Sequence, residues 1–390
     1  MLEDMIDQNS PLELIQEKPV KFLTLSNNEL KTLPEEIGHL NNVEFLSLQG
    51  NKLTSIHSAV HSLHILKAFG ISNNTIVRLP DEICQFENIT HLNSSKNKLK
   101  HLPSAFGDLA TLEILNLNGN RLTSPPESFG CLKNITVVHL EKNKQSYLPQ
   151  VICQLPKLFE LNLSGNKIVK LFCLTNIEEL NLCRNQLTLI PDDVEKLKGL
   201  RVLQLSHNKI KTLPEKISSC SKLLHLCISG NLLTKLPRSI GLETLPRGIC
   251  SLKEISVLES SRNHLVNFPL NIRNVSLLTL VDLSFNHLHN FPMGLCSGLS
   301  LCQLDTSKNI LSKLPPNIGL RELNDLNLSN NQFFLFPVKV CDLRSLEKLN
   351  ICHRRGIKVT NNNSYLPKSI TSLQSLQHLE LKGRHHAKCS

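Results

Sequence analysis

Residues 200–222 read LRVLQLSHNKIKTLPEKISSCSK. Leu200, Leu203 and Leu205 are separated by other residues. Asn208, Ile210, Leu213, Pro214 and Ile217 follow, and Leu223 restarts the series. This 23-residue unit recurs along most of the chain, and self-similarity at such a period marks a solenoid. The alternating leucines carry strand periodicity, apolar side chains inward and the residues between them outward. An asparagine cannot enter an apolar interior unpaired, because an unsatisfied buried amide costs about 1–3 kcal/mol. Recurring at one point of every coil, it can bond the backbone of its own turn and of the neighbouring turn, forming a ladder. The Leu-Pro-x-x-Ile half is too short for a long helix. It predicts a short helical or 3₁₀ segment on the outer face, with Pro at or near its first position.

The ladder asparagines are Asn28, Asn51, Asn74, Asn97, Asn120, Asn143 and Asn166, each 23 apart, then Asn185 after 19. Asn208 and Asn231 follow at 23, Asn263 after 32, Asn286 and Asn309 at 23, and Asn331 after 22. Two later strands, beginning at Leu346 and Leu376, carry Arg354 and Arg384 where the Asn belongs, so sixteen strands are expected, fourteen with their amide.

The departures from the period are specific. Between Asn166 and Asn185 the Pro-x-x-Ile segment is missing, which predicts a narrow coil and a change of curvature. Between Asn231 and Asn263 the outer motif occurs twice, at 236–241 and 245–250, without the strand that should separate the copies. A bulged or poorly packed coil is expected there. Ser94, Ser260 and Thr306 stand where a strand leucine belongs and should weaken their coils, since large-to-small core changes cost about 2–5 kcal/mol. The expected organisation is a partial repeat or cap at 1–19, a solenoid at 20–386 and a tail at 387–390. Irregular coils fall near 167–185, 232–263 and 354–376. Only KGRHHAKCS follows the last strand, so its uncapped edge is a candidate for association.

Charge is 43 basic against 33 acidic residues, a net +10, which dispersed repeat lysines can supply. There is no apolar run of transmembrane length, and MLEDMIDQNS is not a secretory signal. Thirteen cysteines are scattered through the repeats; Cys84, Cys153, Cys250 and Cys341 each follow the Ile or Val of an outer segment. They read as small apolar or half-exposed thiols of a reducing compartment, hence a cytoplasmic protein.

The motif, Leu-x-x-Leu-x-Leu with Asn208 and Leu213-Pro-x-x-Ile217, resembles the leucine-rich repeat superfamily. Its Leu-Pro-x-x-Ile variant is similar to the intracellular class of Ras-pathway scaffolds, the erbin and scribble group, and the leucine-rich repeat and death domain-containing proteins. The resemblance implies an α/β solenoid, a horseshoe with a concave parallel sheet and short helical or 3₁₀ segments on the convex side. It also implies a signalling scaffold or adaptor.

The candidate partner-binding face is the set of outward strand residues. Phe22, Phe45 and Ala68 form an apolar patch, joined by His91, Asn116 and His139. Glu160, Glu178 and Glu179 form an acidic zone at the narrow coil; Gln204 follows, and Glu259, Asp282, Asp305 and Asp325 form a second zone. An apolar anchor beside charges is the composition of a binding hot spot. The alternative is that the phenylalanines pack under a cap and the acids are solvated. A basic edge follows the Asn turns, with Lys96, Lys98, Lys142, Lys144 and Arg184 as its core. It opens a second reading, nucleic acid or anionic phospholipid, although aromatic interleaving is sparse. A third reading is a repeat fragment whose activity lies in a missing domain. His57, His61 and His64 have helical spacing, but His57 replaces the consensus Pro and no metal site is assigned. His225 and Cys227 share a strand face without an orienting third group. No phosphate loop, nucleophile elbow or zinc-protease motif is found. The expectation is a non-catalytic module needing no cofactor.

Overall fold

The computed structural model describes residues 20–169, 174–233, 247–298, 300–352 and 366–381. The expected cap at 1–19, the first outer motif at 236–241, Arg354, Arg384 and the tail lie outside the described residues. So do residues 170–173 of the narrow coil. The chain divides into two units, Met1–Asn185 and Gln186–Ser390, so the division falls at the asparagine that closes the narrow coil.

The first unit carries β1 (Phe22–Thr24), β2 (Phe45–Ser47), β3 (Ala68–Gly70), β4 (His91–Asn93), β5 (Ile114–Asn116), β6 (Val137–His139), β7 (Glu160–Asn162) and β8 (Glu179–Asn181). Each strand pairs in parallel with the next and without offset, Phe22 facing Phe45, Phe45 facing Ala68, and so on to Glu160 facing Glu179. The second unit carries β9 (Val202–Gln204), β10 (His225–Cys227), β11 (Val257–Glu259), β12 (Leu280–Asp282), β13 (Gln303–Asp305), β14 (Asp325–Asn327), β15 (Lys348–Asn350) and β16 (His378–Glu380), paired by the same rule. The strands are three residues long because the central residue alone turns inward, as Leu46, Phe69, Leu115, Leu203 and Leu258 do. Burying each such side chain stabilises its coil by about 1.5–3 kcal/mol. The strand leucine of β16, Leu379, is 36% exposed.

Among the described residues the outer segments are mostly five-residue 3₁₀ turns, such as Asp81–Gln85 and Glu215–Ser219, with one α-helical turn, Gln150–Cys153. Proline sits one residue before the first helical position, at Pro34, Pro80, Pro149 and Pro214, in extended conformation. Its fixed φ thus sets the entry to the turn. His57, which replaces it once, does the same work with its side chain: Nδ1 accepts from the Ala59 N–H at 3.2 Å. Core aromatics pack between coils, Phe69 edge-on to Phe86 at 5.8 Å and Phe106 stacked on Phe129 at 6.2 Å.

The amide ladder is built as the period requires. Asn120 Oδ1 accepts from the Leu99 N–H of the preceding coil at 3.0 Å; its Nδ2 donates to Ser94 O at 2.9 Å and to Leu117 O at 3.0 Å. The ladder survives both irregular coils. In the narrow one Asn185 Oδ1 accepts from Ile168 N at 2.9 Å and Nδ2 donates to Leu163 O at 2.9 Å, so the missing residues are taken from the outer segment. Across the 32-residue step Asn263 still bonds Leu233 N and Ile228 O, both at 3.1 Å, and His225 still faces Val257. The expected disruption therefore does not reach the strand register or the ladder.

The residue before every ladder asparagine is left-handed among the described residues: ten non-glycine residues and Gly50, Gly119, Gly165 and Gly230. The turn must reverse there to aim the next amide inward. Phe285 at φ 53° is the bulkiest of them, a position that large side chains rarely occupy.

Among the described residues four positions of the leucine columns are polar. Ser94 and Ser260 are fully buried and their hydroxyls have no hydrogen-bond partner; Thr306 Oγ1 reaches Asn327 O only at 3.5 Å. Gln145 is also fully buried, and neither its Oε1 nor its Nε2 is paired. It occupies the column held by Leu99, Leu122 and Ile168 in neighbouring coils.

Candidate docking surface

Straight register turns the outward residues into columns, so the candidate residues stand in rows across each sheet. At the start of the first unit Phe22 lies flat on Phe45, ring centroids 4.6 Å apart and planes 7° from parallel. The two rings are 69% and 36% exposed, in a chain that buries most of its large apolar side chains. Ala68 continues the column, half-buried, and His91 is exposed. Beside the rings Glu44 accepts from Lys21 at 3.0 Å and from Lys67 at 2.7 Å, one partner on each adjacent coil. The hydrogen bond from Lys67, then that from Lys21, holds its carboxyl below the usual carboxylate range. Glu44 and its lysines belong to a column just before the strands, which the alternation alone does not assign to the face.

Further along, His139 and Glu160 meet across adjacent columns, Nε2 to Oε1 at 2.7 Å. Glu178, just before β8, is half-buried, and Glu179, the first residue of β8, is exposed. The face of the first unit therefore runs from an aromatic step to a histidine–carboxylate pair.

The second outward column has a structural duty that strand alternation does not disclose. Asn116 Oδ1 accepts from the Asn118 N–H at 3.1 Å, and the same loop is closed at Asn93, Asn162, Asn181, Asn327 and Asn350. Asp282 does so to Ser284 at 2.9 Å and Asp305 to Ser307 at 2.7 Å. These side chains end their strands as Asx turns. Gln204, Glu259 and Asp325 are half-buried on the second unit's face.

Burial pushes the Asp305 carboxyl up, hydrogen bonds from Ser307 pull it back, and the Asp282 charge in the next strand raises it again. A carboxyl with a raised folded pKa contributes stability in acid that is lost as pH rises through that pKa. The stability difference between Asp305→Asn and the parent, in favour of the variant, is therefore expected to grow between about pH 3 and about pH 7. Urea midpoints across that range check it; a difference independent of pH would contradict the assignment.

The basic residues line one edge. Lys96, Lys98, Lys142, Lys144 and Arg184 are exposed, and Lys142 pairs with Glu141 at 2.8 Å. On the Asn turns of the second unit, Arg262 lies 4.2 Å and Lys308 3.7 Å from the Phe285 ring centroid, a contact that offsets the strained turn.

The remaining candidates stay apart. His61 Nδ1 contacts Ser58 O at 2.9 Å, and among the described residues no group of three or more His, Cys, Asp or Glu is placed to hold a metal ion. Burial pushes the thiols of Cys84, Cys220, Cys250 and Cys296 up to about 11, which keeps them protonated and unreactive. His225 and Cys227 lie in the open columns of β10. Among the described residues no helix is long and apolar enough to cross a membrane.

Residues 57–122 and 175–233 match the family model for the leucine rich repeat. A leucine-rich repeat protein of Leptospira interrogans is 30% identical, with 87% of this chain and 80% of that one covered, at a TM-score of 0.71. The plant peptide hormone receptor RGFR1, solved in complex with RGF2, is 25% identical over 96% of this chain and 72% of that one, at a TM-score of 0.62. An internalin of Listeria monocytogenes shares the fold at 22% identity, covering 81% and 89% at a TM-score of 0.69. No curated protein matches in a sequence search. With the repeat, the amide ladder and the parallel strands already in place, these likenesses show that the chain belongs to the leucine-rich repeat family.

Proposed function

We infer that this chain is a docking module that grips a protein partner on the outward face of its strands, acting by binding and not by catalysis. Its setting is an intracellular, cytoplasmic signalling scaffold or adaptor. The observation that carries the reading is the Phe22–Phe45 stack, two rings held parallel at 4.6 Å on an open face beside a row of paired charges. Exposed aromatic steps of this kind supply the buried centre of protein interfaces. The His139–Glu160 pair adds a polar, orientable contact on the same face. Buried, protonated thiols suit a reducing compartment. The likeness to a plant receptor solved with RGF2 supports docking as the general activity.

The test is quantitative capture by the purified chain, with crosslink mapping of what is held. Phe22→Ser with Phe45→Ser is expected to weaken partner retention by about 2 kcal/mol or more, the scale of a hot spot. A control pair on the outer turns, Leu270→Ser with Met293→Ser, should leave retention unchanged. Loss with the outer pair and not with the phenylalanines would refute the face assignment.

A further inference from the structure

We propose that the turns carrying Asn97, Asn120, Asn143 and Asn166 form a second docking surface, whose occupant is an extended acidic polypeptide segment. Lys98, Arg121, Lys144 and Lys167 each follow one of those asparagines and are exposed. They stand on four consecutive coils, about 4.8 Å apart by the spacing of paired strands. Lys96 and Lys142 stand two residues before the row, and Lys100 two residues after it. Gly119 and Gly165 follow Lys96 and Lys142 in the next coils; a Cβ there would sit 3.6 Å from Lys96 Cγ and 3.1 Å from Lys142 Cγ. The two glycines thus leave room for the lysine stems to lie along the strip.

Three lysines outside the strip meet a carboxylate one coil away. Lys52 meets Glu29 at 2.9 Å, Lys67 meets Glu44 at 2.7 Å and Lys216 meets Glu195 at 2.7 Å. In the strip, among the described residues, Glu141 on Lys142 is the one carboxylate paired with any of the seven cations. The same column begins Glu29, Lys52, Thr75, so the like-charge run starts abruptly at Lys98. A row of unmatched cations within a Debye length of one another repels itself, and a polyanion relieves that repulsion.

The strip's composition selects among polyanions. Its turn segments, 95–100, 118–123, 141–146 and 164–169, contain no aromatic residue on which bases could stack, which disfavours single-stranded nucleic acid. The cations form a narrow line, not a plane. Val169, 44% exposed, is the only large exposed apolar side chain in these segments, which disfavours a lipid surface. A linear chain of carboxylates fits the line.

The test is fluorescence anisotropy of the full chain with a labelled oligoglutamate peptide. The comparison ligands are an uncharged peptide of equal length, an oligothymidylate, and vesicles with and without phosphatidylserine. Saturable binding of oligoglutamate that weakens with salt is expected. It should fall about tenfold or more in the fourfold variant Lys98→Glu, Arg121→Glu, Lys144→Glu, Lys167→Glu, and less than about twofold in the control Lys52→Glu with Lys216→Glu. If the fourfold variant does not fold, Lys98→Gln with Lys144→Gln reads the same effect at smaller size. Absence of saturable binding, equal loss in the control, or tighter binding of oligothymidylate or vesicles than of oligoglutamate would overturn the proposal. Because the Phe22→Ser, Phe45→Ser variant should bind oligoglutamate normally, this result stands or falls separately from the face that carries the phenylalanines.

Discussion

Asn120→Ala is expected to destabilise the Met1–Asn185 unit by about 3–5 kcal/mol, the summed cost of stranding buried backbone groups. The amide of Asn120 serves one N–H and two carbonyls, at Leu99, Ser94 and Leu117, in two coils. Alanine removes all three partners at once. Asn120→Asp separates the two halves of the role. It keeps an acceptor for Leu99 N–H but aims a carboxylate at two carbonyl oxygens, so it should be at least as damaging at neutral pH and milder in acid. Urea unfolding measures the global loss, and amide exchange at Leu99 measures the local one. A loss below about 1 kcal/mol would mean that leucine packing carries the coil without the ladder.

Gln145→Leu is expected to do the opposite, raising stability by about 2–3 kcal/mol. Both polar atoms of this fully buried amide lack partners, a burden of about 1–3 kcal/mol, and leucine adds apolar contact in a column already held by Leu122 and Ile168. The branched side chain differs in shape from glutamine, so Gln145→Met, unbranched, guards against overpacking. If neither variant raises the urea midpoint, the amide is satisfied in solution and the defect is not one. Stabilisation by both would show that the coil just before the narrow one carries a removable fault.

The sequence period made the sixteen strands, their inward leucines and the fourteen amides legible, because each depends on spacing alone. Proline before the outer turn was legible for the same reason. What spacing cannot express is how outward side chains deal with each other. Asn116, Asp282 and Asp305 alternate correctly for a binding face, yet each accepts a hydrogen bond from the backbone two residues on. His139 and Glu160 stand in different columns, so neither column read by itself pairs them. Glu44 lies before its strand, and its two lysines become partners only once the coils stack without offset. Gln145 was within reach of the period, two residues past Asn143 where Leu122 and Leu99 stand past theirs. Its cost is visible only once burial and the lack of any partner are known. The 32-residue step shows the converse: a break in the count need not break the register, since His225 still faces Val257 and Asn263 still bonds Ile228 O.

The offset-free register has a mechanical corollary for whatever settles on the first unit. Residues repeat across it like teeth on a rack, so a ligand slid sideways by one tooth meets nearly the same backbone and many of the same polar groups. Such a ligand would slip unless something marks its place. The paired rings at one end and the imidazole–carboxylate bridge further along are the irregular teeth that stop it.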